Sequence, residues 1–319
     1  MKNQLLAIII LLFGVVGCRA KAEDLKSTML KKGLPAKVTV RVKDPDGKPI
    51  TNASVMFCFV VHSLREPNTV IAQTDANGMA TGEALANDKI VIHIEKPGWY
   101  RPYCHHELWG SGKDYLSGRW EPWNPTLDVT MYPKINRRQA PKFRSCYYEH
   151  LEQNTVYGFD MLRKDIILSG RKGETADFQF IGSGSKVRIN SKQPGESKLF
   201  STNKFEVVFS NDGDGVIKMK RQLDSEFKFT YLAPEAGYGQ IVKFSSVTIP
   251  QHRESTFLTD DEYLIFRISR KDLNSGKINR YYGIVTRLKS SVNTKGERYF
   301  DIEYYLNPTP GDRNIEYGP

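Results

Sequence analysis

Ala36-Lys37-Val38-Thr39-Val40-Arg41-Val42-Lys43 places valine at every second position, and Asp44-Pro45-Asp46-Gly47-Lys48-Pro49 follows at once. An apolar run, Ala53-Ser54-Val55-Met56-Phe57-Cys58-Phe59-Val60-Val61, comes next. Thr74-Asp75-Ala76-Asn77-Gly78 then precedes Lys89-Ile90-Val91-Ile92-His93-Ile94-Glu95, and the stretch closes on Pro97-Gly98-Trp99-Tyr100. Successive side chains of a strand point to opposite faces, so period-two alternation marks half-buried strands. Asp-Gly and Asn-Gly supply the positive backbone angles of tight turns. Short strands punctuated in this way predict a small antiparallel β-sandwich.

The motifs of this stretch also resemble a family. A strand, then Asp46 to Ile50, Asn52 to Val55, Thr74 to Gly78, and a strand ending on Gly98 to Tyr100 are similar to the carboxypeptidase regulatory-like (transthyretin-like) domain. The resemblance implies a transthyretin-like sandwich over 35–133. In that family the module is usually non-catalytic and stands beside enzymes, in adhesins and in surface lipoproteins. A fold follows from it, and hardly any function.

Outward toward the N-terminus, Lys2 precedes an apolar run from Leu5 to Val16. That run is too short to span a bilayer and suits the core of a signal peptide over 1–17. It ends Val15-Val16-Gly17-Cys18, which looks like a bacterial lipobox with Cys18 as lipid acceptor. The competing reading is an ordinary signal peptide in which Cys18 is incidental. Arg19 after the cysteine favours the outer membrane by the sorting rule of such lipoproteins. Residues 18–34 read as a polar tether with one helical turn near Asp24 to Met29. The expected place is the cell envelope or surface, lipid-anchored.

The formal net charge is +10, and losing Lys2 with the leader lowers it to +9. A basic exported chain suits lipid headgroups or acidic envelope polymers, although scattered lysines also serve solubility alone. No nucleic-acid partner is expected, since exported lipoproteins do not normally meet one and no binding motif is present.

All four tryptophans fall in a Gly-rich loop over 98–125: Trp99, Trp109, Trp120 and Trp123, with Tyr115 among them. Long loops of this kind are often functional. Trp109, Tyr115, Trp120 and Trp123 are the candidate contact residues for a glycan or a protein, because their ring faces can stack on sugars or proline. The alternative, which ranks ahead of it, is a mini-core clamping two domains together.

Cys104-His105-His106-Glu107 and the later Cys146 and His150 hold the chain's main concentration of soft ligands. If the segment that holds them is helical, Cys146 and His150 share a face, as Cys104 and His106 do on a strand. The spacing matches no zinc motif, and His106-Glu107 fails as H-E-x-x-H because Gly110 stands fifth. No metal and no cofactor are expected. A hydrolase or metal enzyme using His105, His106 or His150 is the alternative to a non-catalytic module. With Cys18 lipidated and Cys58 in an apolar run, Cys104 with Cys146 is the expected disulfide.

Residues 134–155 carry Lys134, Arg137, Arg138, Lys142 and Arg144, and read as a basic linker. From 156 to 319 the chain is again strand-rich, with strands expected over 175–181, 186–189, 204–209, 240–247, 262–268, 280–288 and 298–306. The last three form a meander with turns at Asn274-Ser275-Gly276 and Thr294-Lys295-Gly296. Gly182-Ser183-Gly184-Ser185 reads as a turn, and Asn211 to Gly215 as a hairpin turn rather than a calcium loop. Gly158-Phe159-Asp160 and Tyr304-Tyr305-Leu306-Asn307-Pro308 resemble segments of bacterial lipoproteins, a likeness that carries no activity. The whole is an all-β chain of two β-sandwich domains, the second jelly-roll-like or a curved two-sheet sandwich. Its expected function is envelope binding or support without catalysis.

Overall fold

A computed structural model of the protein describes residues 27, 31–109, 117–135, 142–168, 176–190, 197–272 and 274–317. Cys18 and Tyr115 lie outside the described residues, as do the leader and all of the tether before Lys31 except Ser27. No helix among the described residues is long and apolar enough to cross a membrane. The chain forms two units.

The first unit comprises 1–135 together with 223–227. Its strands are β1 (Leu34–Lys43), β2 (Ser54–Phe59), β3 (Asn68–Gln73), β4 (Met79–Ala86), β5 (Lys89–Glu95), β6 (Cys104–Glu107) and β7 (Thr126–Thr130). They make a three-stranded sheet β4-β1-β7 and a four-stranded sheet β3-β2-β5-β6. Val38, Val40 and Val42 of β1 face Val55, Phe57 and Phe59 of β2 and Ile90, Ile92 and Ile94 of β5 in one core. At roughly 25 cal/mol per Å² of apolar surface removed from water, such residues dominate the folding energy. The expectation of an antiparallel sandwich needs one correction: β1 and β7 run parallel, with Thr39 opposite Thr126. Parallel strands require a long crossover, and the tryptophan segment lies within it.

The two turn motifs are tied to each other. Buried Thr74 accepts the Ala53 N–H at 2.8 Å through Oγ1 and donates from it to Ile50 O at 2.7 Å. Asp75 Oδ1 accepts the N–H groups of Asn77 and Met79 at 2.8 Å each. Gly78 has φ +73°, and a Cβ there would meet Val42 O at 2.3 Å. Only glycine fits both the left-handed angle and that approach.

Residues 223–227 complete the first unit. Tyr103 N–H donates to Asp224 O at 2.7 Å, and Glu226 N–H donates to Arg101 O at 2.8 Å. The Phe227 ring lies 5.2 Å from that of buried Tyr100 and 5.0 Å from that of Tyr132.

The second unit comprises 136–222 and 228–319. Its strands are β8 (Lys142–Leu151), β9 (Tyr157–Asp160), β10 (Asp165–Leu168), β11 (Phe178–Asn190), β12 (Ser197–Phe209), β13 (Gly215–Lys220), β14 (Ile241–Ile249), β15 (His252–Ser255), β16 (Glu262–Lys271), β17 (Ile278–Val292) and β18 (Arg298–Leu306). A six-stranded sheet runs β10-β9-β11-β12-β14-β15, and a five-stranded sheet runs β13-β16-β17-β18-β8. The pairs β11–β12, β14–β15, β16–β17 and β17–β18 are antiparallel neighbours in sequence. Of the two expected forms, this is the two-sheet sandwich. Its core is aromatic: Phe300 stacks on Phe180 at 4.4 Å and lies 5.7 Å from both Phe159 and Phe205. A second cluster, Phe229, Tyr263, Ile265, Tyr282, Ile284 and Ile315, packs on the other face of β16 and β17.

Three readings of the sequence are corrected here. The expected basic linker contains β8, an edge strand paired with β18, so 142–151 is not a helix. Gly182 to Ser185 lie inside β11, which is one continuous strand. The turn at Asn211 to Gly215 passes from β12 in one sheet to β13 in the other, so it closes no hairpin.

Candidate functional site

The tryptophan segment is built inward. Trp120 is 2% exposed in the core of the first unit. Its Nε1 donates to Ala86 O at 2.8 Å. Trp109 stands edge-on to it, 5.3 Å between centroids, and donates from Nε1 to Asn87 O at 2.9 Å. A buried indole N–H needs an acceptor, and the β4–β5 turn supplies both carbonyls. The half-buried Trp123 ring carries the Arg119 guanidinium at 4.8 Å and Lys37 Nζ at 5.8 Å. Trp120 is therefore a core residue and offers no face to a ligand, and Trp123 already holds cations. Trp109 is 46% exposed.

The histidines do not form a cation site. His105 is exposed beside Glu107 at 3.5 Å. His106 is half-buried, and burial lowers its pKa. His150 belongs to the second unit, where it is exposed with φ +58° and its Nδ1 lies 3.1 Å from Glu297. No group of three His, Cys, Asp or Glu gathers at one point among the described residues.

Cys58, Cys104 and Cys146 are free thiols, which corrects the expected Cys104–Cys146 disulfide. Each of those two thiols packs against the core of its own unit. Burial, helped by the Asp224 charge, pushes the Cys104 thiol up to about 11. At pH 8 on the order of one such thiol in a thousand is ionised, and the thiolate is the nucleophile. Peptide mapping after iodoacetamide treatment at pH 8 should show Cys104 alkylated roughly a hundredfold more slowly than free cysteine. The rate should climb steeply toward pH 11.

In the Asn211–Gly215 turn the Asp214 carboxylate is likewise occupied. Fully buried Asp214 accepts Ser269 N–H and Oγ–H, each at 2.6 Å, and Asn211 Nδ2 at 3.0 Å. That is a turn held by side chains.

What the sequence reading missed is a cleft of about 400 Å³ in the second unit, at one end of the sandwich. Leu199, Phe257, Leu258 and Val292 give it apolar surface. Phe257 is stacked on Phe244 at 5.1 Å with 15° between the planes. The polar wall consists of Ser201, Thr202, Asn203, Ser246, Thr248, Ser255, Ser290 and Ser291, and the cations are Lys186, Arg253 and Lys289. Among the described residues no carboxylate, imidazole or thiol lines it.

Behind that wall lies Arg298, 3% exposed. Its Nη2 donates to Asn203 Oδ1 at 3.1 Å and to Ser290 Oγ, while Asn203 Nδ2 donates to Ser290 O at 2.7 Å. Arg298 Nη1 is buried with no hydrogen-bond partner among the described residues. Burial lowers its pKa to about 10. The guanidinium fits because the facing strand carries glycine: a Cβ on Gly182 would stand 2.1 Å from Nη2. Alternation carried the signal, since Arg298 is in phase with Phe300, Ile302, Tyr304 and Leu306, all buried.

No family model matches the chain, and no curated protein matches it in sequence. Among solved structures it is similar to an intradiol ring-cleavage dioxygenase from Tetranychus urticae, 13% identical over 34% of this chain and 85% of that one, with a TM-score of 0.25. It is similar also to a streptococcal ancillary pilin, 11% identical over 64% of this chain and 61% of that one (TM-score 0.23). The third is BcpA, the major pilin subunit of Bacillus cereus, 10% identical over 86% of this chain and 96% of that one (TM-score 0.22). The all-β sandwich class rests on the strands and sheets described above.

Proposed function

We propose that this chain is a non-catalytic binding module of the cell envelope. In this reading it is lipidated on Cys18, carries a carboxypeptidase regulatory-like sandwich over 35–133, and meets an envelope polysaccharide through its second sandwich. The observation that carries the reading is the cleft. A glycan presents hydroxyl oxygens and apolar ring faces, and the cleft sets hydroxyl, amide and cationic donors beside a half-buried Phe257. The described lining groups bind acceptors and include no carboxylate or imidazole for acid–base chemistry.

The test is retention of the soluble chain from Lys21 onward on peptidoglycan and insoluble polysaccharides, beside Ser255→Trp, which fills the cleft from the edge strand β15. Retention of the wild type that Ser255→Trp loses and Trp109→Ala keeps supports the cleft. Retention lost only by Trp109→Ala moves the contact to the tryptophan segment. Absence of retention for every form removes polysaccharide binding.

A further inference from the structure

The second unit draws in two arginines, Arg270 half-buried and Arg298 fully buried, and treats them differently. Arg270 is held by two buried carboxylates, Asp177 at 2.6 Å and 2.8 Å and Asp160 at 2.5 Å. Arg298 is at least as buried and has no carboxylate partner among the described residues. A buried guanidinium without a counter-charge is unfavourable, and one that persists leaves an anion to be accounted for. The groups it touches show where that anion would sit, because Asn203 and Ser290 both line the cleft. Ser290 Oγ accepts from Arg298, so the Ser290 hydroxyl proton is left to donate elsewhere. Lys186, Arg253 and Lys289 also line the cleft and form no ion pair among the described residues. Every charged group among the described residues that lines the cleft is thus a cation, and Glu152, which lines a smaller pocket with Arg298, forms no ion pair with it.

Resting on the glycan reading above, we propose that the cleft takes an acidic glycan, with a sugar carboxylate or sugar phosphate seated against Ser290 and Asn203. Arg298 is then a positioning residue that supplies the counter-charge through them. The ligand's anion completes a charge balance that the fold leaves open at Arg298 and closes at Arg270. Lys186, Arg253 and Lys289 attract the same group from further out.

Calorimetric titration of the whole soluble chain from Lys21 onward tests this, with a galacturonate trimer and its methyl ester as probes of equal size. The wild type is expected to bind the acid at least tenfold more tightly than the ester. Arg298→Met should bring the two within twofold, the acid losing far more affinity than the ester, whereas a merely structural role would weaken both alike. Ser290→Ala keeps Arg298 in place and should shrink the preference too; if Arg298→Met does not fold, this variant decides. Equal affinity of the wild type for acid and ester overturns the proposal and leaves the glycan reading standing. Binding of neither probe overturns the acidic ligand, and the polysaccharide retention assay then judges the broader reading separately. An acid preference that survives in Arg298→Met, or in Ser290→Ala where that variant decides, overturns the role of Arg298. Competition by inorganic phosphate supports a site for either oxyanion. Failure of phosphate to compete, with the acid preference intact, supports a sugar carboxylate.

Discussion

Replacing Arg270 with alanine is expected to destabilise the second unit by about 3–5 kcal/mol, as removing one partner of a buried charge network does. Asp160 and Asp177 are 2% and 1% exposed, and the arginine joins them across strands distant in sequence. Asp177 also accepts the Met161 N–H at 2.6 Å, and Asp160 accepts the Arg163 N–H at 2.7 Å. Those bonds fix both carboxylates, so neither can swing out to water once the cation is gone. Urea unfolding of the variant and the wild type measures the loss. Its pH dependence has a definite sign. Burial pushes the Asp177 carboxyl above the usual range even beside Arg270. Without the arginine, burial and the Asp160 charge act unopposed by it. A folded pKa above the unfolded value near 3.9 gives stability that is present below that value and lost as pH rises through the folded one. The variant should therefore be less impaired at pH 5 than at pH 8. An equal loss at both would mean that water reaches the carboxylates.

Phe300→Ala should cost about 3–5 kcal/mol, the range for deleting a fully buried aromatic ring. Phe300 is unexposed and central, in contact distance of Phe180, Phe159, Phe205 and Tyr148. Four rings cannot all close on the void without leaving their own stacking partners, so a cavity remains. Domains of this size have about 5–15 kcal/mol in total, so a large share of the second unit's stability goes. Ile278→Ala, at a position 62% exposed, is the control and should stay within about 0.5 kcal/mol. A loss at Phe300 as small as at Ile278 would mean that the aromatic cluster rearranges freely.

Where pairing is local, the sequence was a good guide. Strands β5 and β18 have the ends their alternation predicts, and the meander β16-β17-β18 turns at Gly276 and Gly296, both with positive φ. Where the reason for a residue lies in a different strand, local reading failed. Gly182 and Gly184 punctuate a sequence as turn residues do, yet Gly182 is small because Arg298 lies over it and Gly184 because Thr202 O would stand 2.3 Å from its Cβ. Strand β8 was hidden by its charges, since an edge strand turns part of its length to water. The parallel β1–β7 pair joins residues far apart in sequence, and no turn announces it. The tryptophans were legible as a group, but their carbonyl partners on Ala86 and Asn87 were not. The cleft draws on β11, β12, β14, β15 and β17, and its serines and threonines carry no spacing that a linear reading could collect.

The first unit takes its last piece, 223–227, from far down the chain. A ribosome makes a polypeptide from its N-terminus. Residues 31–135 are therefore out while the segment that pairs with Arg101 and Tyr103 is still unmade. At about 5–20 residues per second, the interval for residues 136–222 is on the order of ten seconds. During it Tyr100 and Tyr132 lack the Phe227 ring, and an apolar patch stands open on a nearly finished sandwich. The unit nearest the N-terminus is thus the first to appear but cannot finish until residues 136–222 of the other unit have been made. A chaperone that shields such patches would meet this protein at that aromatic pair.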